Sequence, residues 1–249
     1  MANIWLYTIL SVFFISLVSF VGVLTLSISQ KKLKNILLYL VSFSAGALFG
    51  DAFIHLLPES VETLGFKLEL SIAILLGIIF FFIVEKFVHW RHCHVMNEKE
   101  HRHPFAFMNL LGDGLHNFID GLIIAASYLI SVPVGIATTV AVVLHEIPQE
   151  IGDFGVLLHG GFSKNKALLL NFLVAMCSVL GAIVGLIISL RIENLVNYLV
   201  PFAAGGFIYI AGSDLIPELH KEVKIEKSII QLLMFLIGIL IMVALIFLE

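Results

Sequence analysis

The chain has 249 residues, 60% hydrophobic and only 13% charged, with a net charge of −4 at pH 7. Soluble domains carry roughly 25% charged residues, so a water-soluble globule is excluded, and a mean hydropathy of +1.07 marks an all-α integral membrane protein. The absence of any basic stripe excludes nucleic acid as a partner, and two cysteines, Cys93 and Cys177, give no disulfide framework.

A helix needs about 20 apolar residues to span the hydrocarbon core. Breaks at charged and turn-forming residues predict eight such helices, over about 4–28, 35–58, 69–90, 105–130, 133–160, 166–190, 195–219 and 228–248. They form one membrane domain, 1–249. The first stretch (MANIWLY) lacks the basic start of a signal peptide, so the first apolar run is expected to remain as a span. Most connections are short. The exception is the polar, histidine-rich loop 89–104.

Twelve of the 14 Lys and Arg fall on one side of this eight-helix pattern, leaving only Lys67 and Arg191 for the other. By the positive-inside rule both termini face outward and the histidine-rich loop faces the cytoplasm. The second and seventh predicted helices also match without a gap: FSAGALFGDAFIHLLPE (43–59) against FAAGGFIYIAGSDLIPE (202–218). The charge-derived topology runs these copies in opposite directions. The expectation is therefore an inverted repeat in a 3+2+3 arrangement, with a substrate site near the repeat interface.

The fourth and fifth predicted helices carry GDGLHNFIDG and HEIPQEIGD inside otherwise apolar runs. Polar side chains at mid-membrane are costly unless they face a partner, water or an ion. At 100° per residue, Asp113, His116, Asn117 and Asp120 fall on an arc of about 100°, and His145, Glu146, Gln149, Glu150 and Asp153 within about 140°. The turn joining the two helices is very short, so their polar stripes can face each other. Two imidazoles with carboxylate and carboxamide oxygens make a mixed N/O site for a first-row divalent ion. Pro148, within the fifth helix, removes an amide donor and leaves the carbonyl of Leu144 in need of protein, water or an ion.

Further polar positions suggest a route. Asp51, His55 and Glu59 recur at four-residue spacing on the second helix, and Asp214 and Glu218 on the seventh. Asp113 and Asp153 flank the centre. His89, His92, His94, His101 and His103, with Cys93, equip the cytoplasmic loop for weak metal capture or sensing, and a merely solvated loop fits it nearly as well. His159, near a boundary, reads as a surface residue. Gly181-x-x-x-Gly185 fits a homodimer contact, though the pattern is frequent in membrane helices.

These stretches resemble the signature helices of the ZIP family of divalent-metal transporters, in its histidine-motif subfamily, across essentially the whole chain. The resemblance implies eight helices, outward termini and import of Zn²⁺ or a similar ion (Fe²⁺, Mn²⁺ or Cd²⁺) into the cytosol. It implies movement of a transport unit against a scaffold. It further implies that His116, Asp120, His145 and Gln149 line the primary metal site, with Asn117, Glu146 and Glu150 at an adjacent one. The subfamily commonly has a histidine where this chain has Gln149, and the sixth helix lacks an acidic residue that some relatives use. An intramembrane zinc hydrolase is the main alternative, since HEIPQ begins like HExxH but lacks its second histidine. A non-transporting metal sensor built on the histidine-rich loop is the other. No enzyme activity is expected, and short loops point to a prokaryotic plasma membrane.

Overall fold

The computed structural model describes residues 2–26, 30–93, 102–191 and 195–248. Among the described residues there are helices and no strands. Helix α1 runs over Ala2–Val18 and continues through a 3₁₀ turn, Ser19–Val21, into Gly22–Thr25. Helix α2 comprises Gln30–Gly50, a wide π-turn at Asp51–Leu56, and Leu57–Leu64. Then follow α3 (Leu68–Cys93), α4 (Arg102–Ile130) and α5 (Val132–His159). Helix α6 is made of Lys164–Ala175 and Cys177–Ser189, and α7 of Leu195–Tyr209, a second π-turn at Ile210–Leu215, and Ile216–Leu219. Helix α8 is Ile225–Leu245 with a 3₁₀ end at Ile246–Leu248.

Among the described residues seven stretches are long and apolar enough to cross a bilayer: Asn3–Leu24, Asn35–Leu64, Leu68–Lys86, Val132–Leu158, Lys164–Ser189, Val196–Leu219 and Ile225–Leu245. Helix α4 is not among them. Its 29 residues are long enough to span, but its centre carries Asp113, His116, Asn117 and Asp120, of which Asp113, Asn117 and Asp120 are buried.

The two π-turns have a common cause. Pro58 and Pro217 lack an amide donor, so the ordinary i→i−4 ladder cannot pass through them. The backbone widens instead: the Leu57 amide bonds the Ala52 carbonyl and the Ile216 amide bonds the Ala211 carbonyl, each five residues back. In the sequence repeat Asp51–Leu56 matches Ile210–Leu215, so both copies carry the same irregularity in the same register.

Close packing repeats as well. Helix α2 lies against α8, where a Cβ on Gly46 would come 2.0 Å from the Phe235 carbonyl oxygen. Helix α7 lies against α3, where a Cβ on Gly205, the repeat partner of Gly46, would come 2.1 Å from the Ile74 carbonyl oxygen. No other residue allows backbones this near. Helix α4 packs most closely on α6, and α1 covers α5 and α6. The chain thus falls into two groups, α1/α4/α5/α6 and α2/α3/α7/α8, which meet where α5 faces α2 and α4 faces α3 and α7.

Gly181 and Gly185 lie inside the α4–α6 contact: a Cβ on Gly181 would meet the Phe118 carbonyl oxygen at 1.9 Å, and one on Gly185 the Ala125 Cβ at 3.1 Å. This corrects the homodimer expectation as far as it rested on that pattern, because the small-residue face is already taken within the chain.

Candidate metal centre

Ser131 is the only residue between α4 and α5. Its extended backbone reverses the chain, its side chain accepts the Val134 amide hydrogen at 3.2 Å, and Pro133 sits in the first turn of α5, where no amide is needed. This tight reversal sets the polar stripes of α4 and α5 face to face.

Four side chains from these stripes converge. His116 Nε2 and His145 Nε2 are 3.2 Å apart. Asp120 Oδ2 is 3.1 Å from His145 Nε2 and 3.6 Å from His116 Nε2. Glu146 Oε1 is 3.4 Å from each of the two nitrogens. The ligand atoms of all four residues lie within 4.8 Å of one another. For a tetrahedral ion with ligand bonds of about 2.0–2.2 Å, neighbouring ligand atoms are separated by about 3.3–3.6 Å. The five spacings that involve a histidine nitrogen, 3.1–3.6 Å, lie close to that range.

The surroundings suit a cation. The His145 Nδ1–H donates to the Ala141 carbonyl at 3.2 Å, since a carbonyl can only accept. That bond leaves Nε2 to present its lone pair, the usual arrangement for a ligating histidine. Asp120 Oδ1 and Glu146 Oε2 are buried without a hydrogen-bond donor among the described residues. Two carboxylates and two neutral imidazoles around a divalent ion sum to zero charge, which removes the penalty of crowding anions in low dielectric. Phe81 of α3 and Phe207 of α7 set their rings edge-on to His116 and His145, with centroids 6.3 and 6.1 Å apart. These rings wall the centre from the side of the second helix group. His116 is the least enclosed of the four, with 14% of its side chain exposed against 1–2% for the others.

The grouping differs from the sequence expectation in one respect. Gln149 is not with the two histidines; its Nε2 donates to Asp113 Oδ1 at 3.1 Å. Asn117 donates to the same oxygen at 2.8 Å, so both carboxamides hold Asp113. Glu146 stands beside the histidines in place of Gln149. Glu150 is buried, and its carboxylate accepts from Asn171 of α6. Sequence reasoning passed over Asn171, whose signal was a lone carboxamide in the apolar run KALLLNFLVA. Asp113 Oδ2, Asn117 Oδ1 and Asn171 Oδ1 are buried with no hydrogen-bond partner among the described residues.

The residues proposed as a route are distributed differently. Asp51 and His55 are buried on the π-turn of α2, and the His55 Nε2–H donates to the Met242 carbonyl of α8 at 2.9 Å. Asp153 lies half-buried on α5, one turn past Gln149. Glu218 is exposed and ion-paired with Lys221. The side chains of Asp214, His159, His89, His92, Cys93 and His103, and residues His94 and His101 as a whole, lie outside what the structure describes.

A family model, ZIP zinc transporter, matches residues 2–104 and 92–246. Among curated proteins the chain is 35% identical over 222 residues to a protein named zinc transporter ZIP13 from Pongo abelii, covering 82% of this chain and 65% of that one. It is 31% identical over 268 residues to zinc transporter zipt-7.1 from Caenorhabditis briggsae (80% and 68%). It is 32% identical over 273 residues to a zinc transporter ZIP13 homolog from Drosophila melanogaster (84% and 77%). The chain therefore spans about two thirds of the length of the first of these relatives. All three are animal proteins, so the expected prokaryotic plasma membrane finds no support in them, while an integral membrane location stands. Members of the matched family are transporters rather than enzymes, which sets the intramembrane hydrolase aside. With both halves of the sequence matched and such relatives covering most of it, the chain belongs to the ZIP zinc transporter family.

Proposed function

We propose that the chain moves divalent metal ions, Zn²⁺ foremost, across a membrane into the cytosol through the centre between α4 and α5. The observation that carries the reading is the convergence of His116, Asp120, His145 and Glu146 at tetrahedral spacing. The names of the relatives favour zinc as the substrate. Fe²⁺, Mn²⁺ and Cd²⁺ accept the same nitrogen and oxygen donors and are the natural competitors. Asn117, Glu146 and Glu150, with the bare oxygens of Asp113 and Asn171 nearby, supply an adjacent position for a second ion on its way out. Weak, multiple coordination of this kind allows release as well as capture.

In this reading α4 is the eighth span, tolerated in lipid because its polar face is turned onto α5 and α6. The matched π-turns and matched glycine contacts support a 3+2+3 inverted repeat, and the lysine and arginine bias supports outward termini. Asp51 and His55 receive the ion on one side, and Asp113, Asp153, Asp214 and Glu218 lie along its exit. The histidine-rich loop, with His89, His92, His94, His101 and His103, captures or senses metal on the cytosolic side.

The test is ⁶⁵Zn uptake by proteoliposomes carrying the wild-type chain, His116→Ala or His145→Ala, with Fe²⁺, Mn²⁺ and Cd²⁺ as competitors. Wild-type uptake that is lost in both folded variants is expected. Wild-type-like uptake by both would remove the site from the function.

A further inference from the structure

The proline in α5 opens one backbone carbonyl beside the metal centre. In an unbroken helix the amide of residue 148 would donate to the carbonyl of Leu144, but Pro148 has no amide hydrogen. Leu144 directly precedes His145, and its carbonyl is directed at α2. There the Ser44 Oγ, fully buried, lies 2.5 Å from the Leu144 carbonyl oxygen and 2.8 Å from the carbonyl oxygen of its own helix at Leu40. A hydroxyl has one hydrogen to give. The Leu40 carbonyl is already served by the Ser44 backbone amide within α2, whereas the Leu144 carbonyl has lost its helical donor. The proton therefore belongs on Leu144.

This contact joins the two helix groups at the depth of the metal centre. We propose that Ser44 is a positioning residue, docking the His145 helix onto α2 through the Leu144 carbonyl that Pro148 leaves open. Ser44 is not one of the four converging ligands. It acts by fixing where His145 and Glu146 stand relative to α2. The Leu40 carbonyl serves as a second acceptor one turn away, so the hydroxyl keeps a partner when α5 moves off. The exposed Leu144 carbonyl then needs water or an ion in its place. Leaving it bare costs enough to lower the population of the docked arrangement about five- to 150-fold. A transport cycle that must revisit this arrangement slows accordingly. That last step rests on the transporter reading above; the contact itself does not.

The test is a double-mutant cycle on the full chain with Ser44→Ala, Pro148→Ala and both together. Pro148→Ala restores an amide donor to the Leu144 carbonyl, so the Ser44 hydroxyl should become dispensable there. Two readouts are taken: hydrogen–deuterium exchange of α5 in metal-free detergent-solubilised protein, and zinc uptake in proteoliposomes. The expected result is faster exchange around residues 144–152 in Ser44→Ala. Its maximal uptake should fall at least about fivefold with the KM for zinc within about twofold. The double variant should match Pro148→Ala in both readouts. Wild-type exchange in Ser44→Ala would overturn the proposal. So would an effect of Ser44→Ala that persists unchanged in the Pro148→Ala background, or a loss of zinc affinity that accounts for the loss of uptake. Failure of the transporter reading looks different: the wild-type chain takes up no zinc, and the exchange comparison still decides the contact.

Discussion

Replacing Glu146 by Gln separates the observed grouping from the one the sequence suggested. Glu146 Oε1 stands 3.4 Å from both histidine nitrogens, and its carboxylate is about 1% exposed. A bound divalent ion would lose one of two compensating charges in this variant while keeping the shape of the side chain. Removing one member of a buried charge pair costs about 3–5 kcal/mol, so a loss of at least about 150-fold in zinc affinity is expected. Gln149→Ala is the comparison. Gln149 holds Asp113 at 3.1 Å and touches none of the four converging ligands, and removing an outer partner costs about 10- to 100-fold, less than the loss expected for Glu146→Gln. Competition against a fluorescent zinc chelator, with purified protein in detergent, measures both. A Gln149→Ala variant that binds zinc more weakly than Glu146→Gln would place Gln149, rather than Glu146, on the ion.

The close helix contacts give a stability prediction. Gly46→Ala and Gly121→Ala would put a methyl group 2.0 and 1.9 Å from the carbonyl oxygens of Phe235 and Ser178, so backbones must part. Overpacking of this kind costs about 1–3 kcal/mol, read as a lower melting temperature in detergent, and an unchanged melt would contradict the packing. Asn171→Ala strips the buried Glu150 of its donor and should destabilise the chain by about 1–3 kcal/mol, with melting unchanged as the contrary result. At the water-exposed turn between α7 and α8, the hydrogen bond from Lys227 and then that from the Lys224 amide hold the Glu222 carboxyl below its ordinary range. A lowered pKa stabilises the fold above the unfolded value, about pH 4.3, and the contribution is lost as pH falls through the folded value. Glu222→Gln should remove that acid-side component from a melting profile over pH; an identical profile would count against it.

Much of the site was legible because hydrocarbon penalises polar groups so heavily. His116, Asp120, His145 and Glu146 stood out as exceptions inside apolar runs, and the short turn at Ser131 was enough to bring their helices together. The choice between Glu146 and Gln149 was not legible. Helical spacing favours i,i+4 pairs such as His145/Gln149, and only the facing geometry of α4 shows that Glu146, one residue from His145, reaches the same point while Gln149 turns to Asp113. Lone polar residues also gave little signal. Ser44 and Asn171 have no periodic partner, and their importance comes from what lies opposite: a carbonyl opened by Pro148 and a buried carboxylate. Pro58 and Pro217 announced a break in hydrogen bonding, but not that each helix would absorb it as a π-turn in the same register. The Gly181/Gly185 pair showed that a small-residue face exists without showing which neighbour uses it.

The proposed transport function rests on one ion being held by two imidazoles and two carboxylates deep between α4 and α5. X-ray absorption at the zinc edge of the purified, zinc-loaded chain tests this most directly. It should report about four nitrogen and oxygen neighbours at roughly 2.0–2.2 Å, with the outer-shell signature of two imidazole rings, and that signature should fall to one ring in His116→Ala. A zinc environment of oxygens alone, or one unchanged by removing His116, would contradict it.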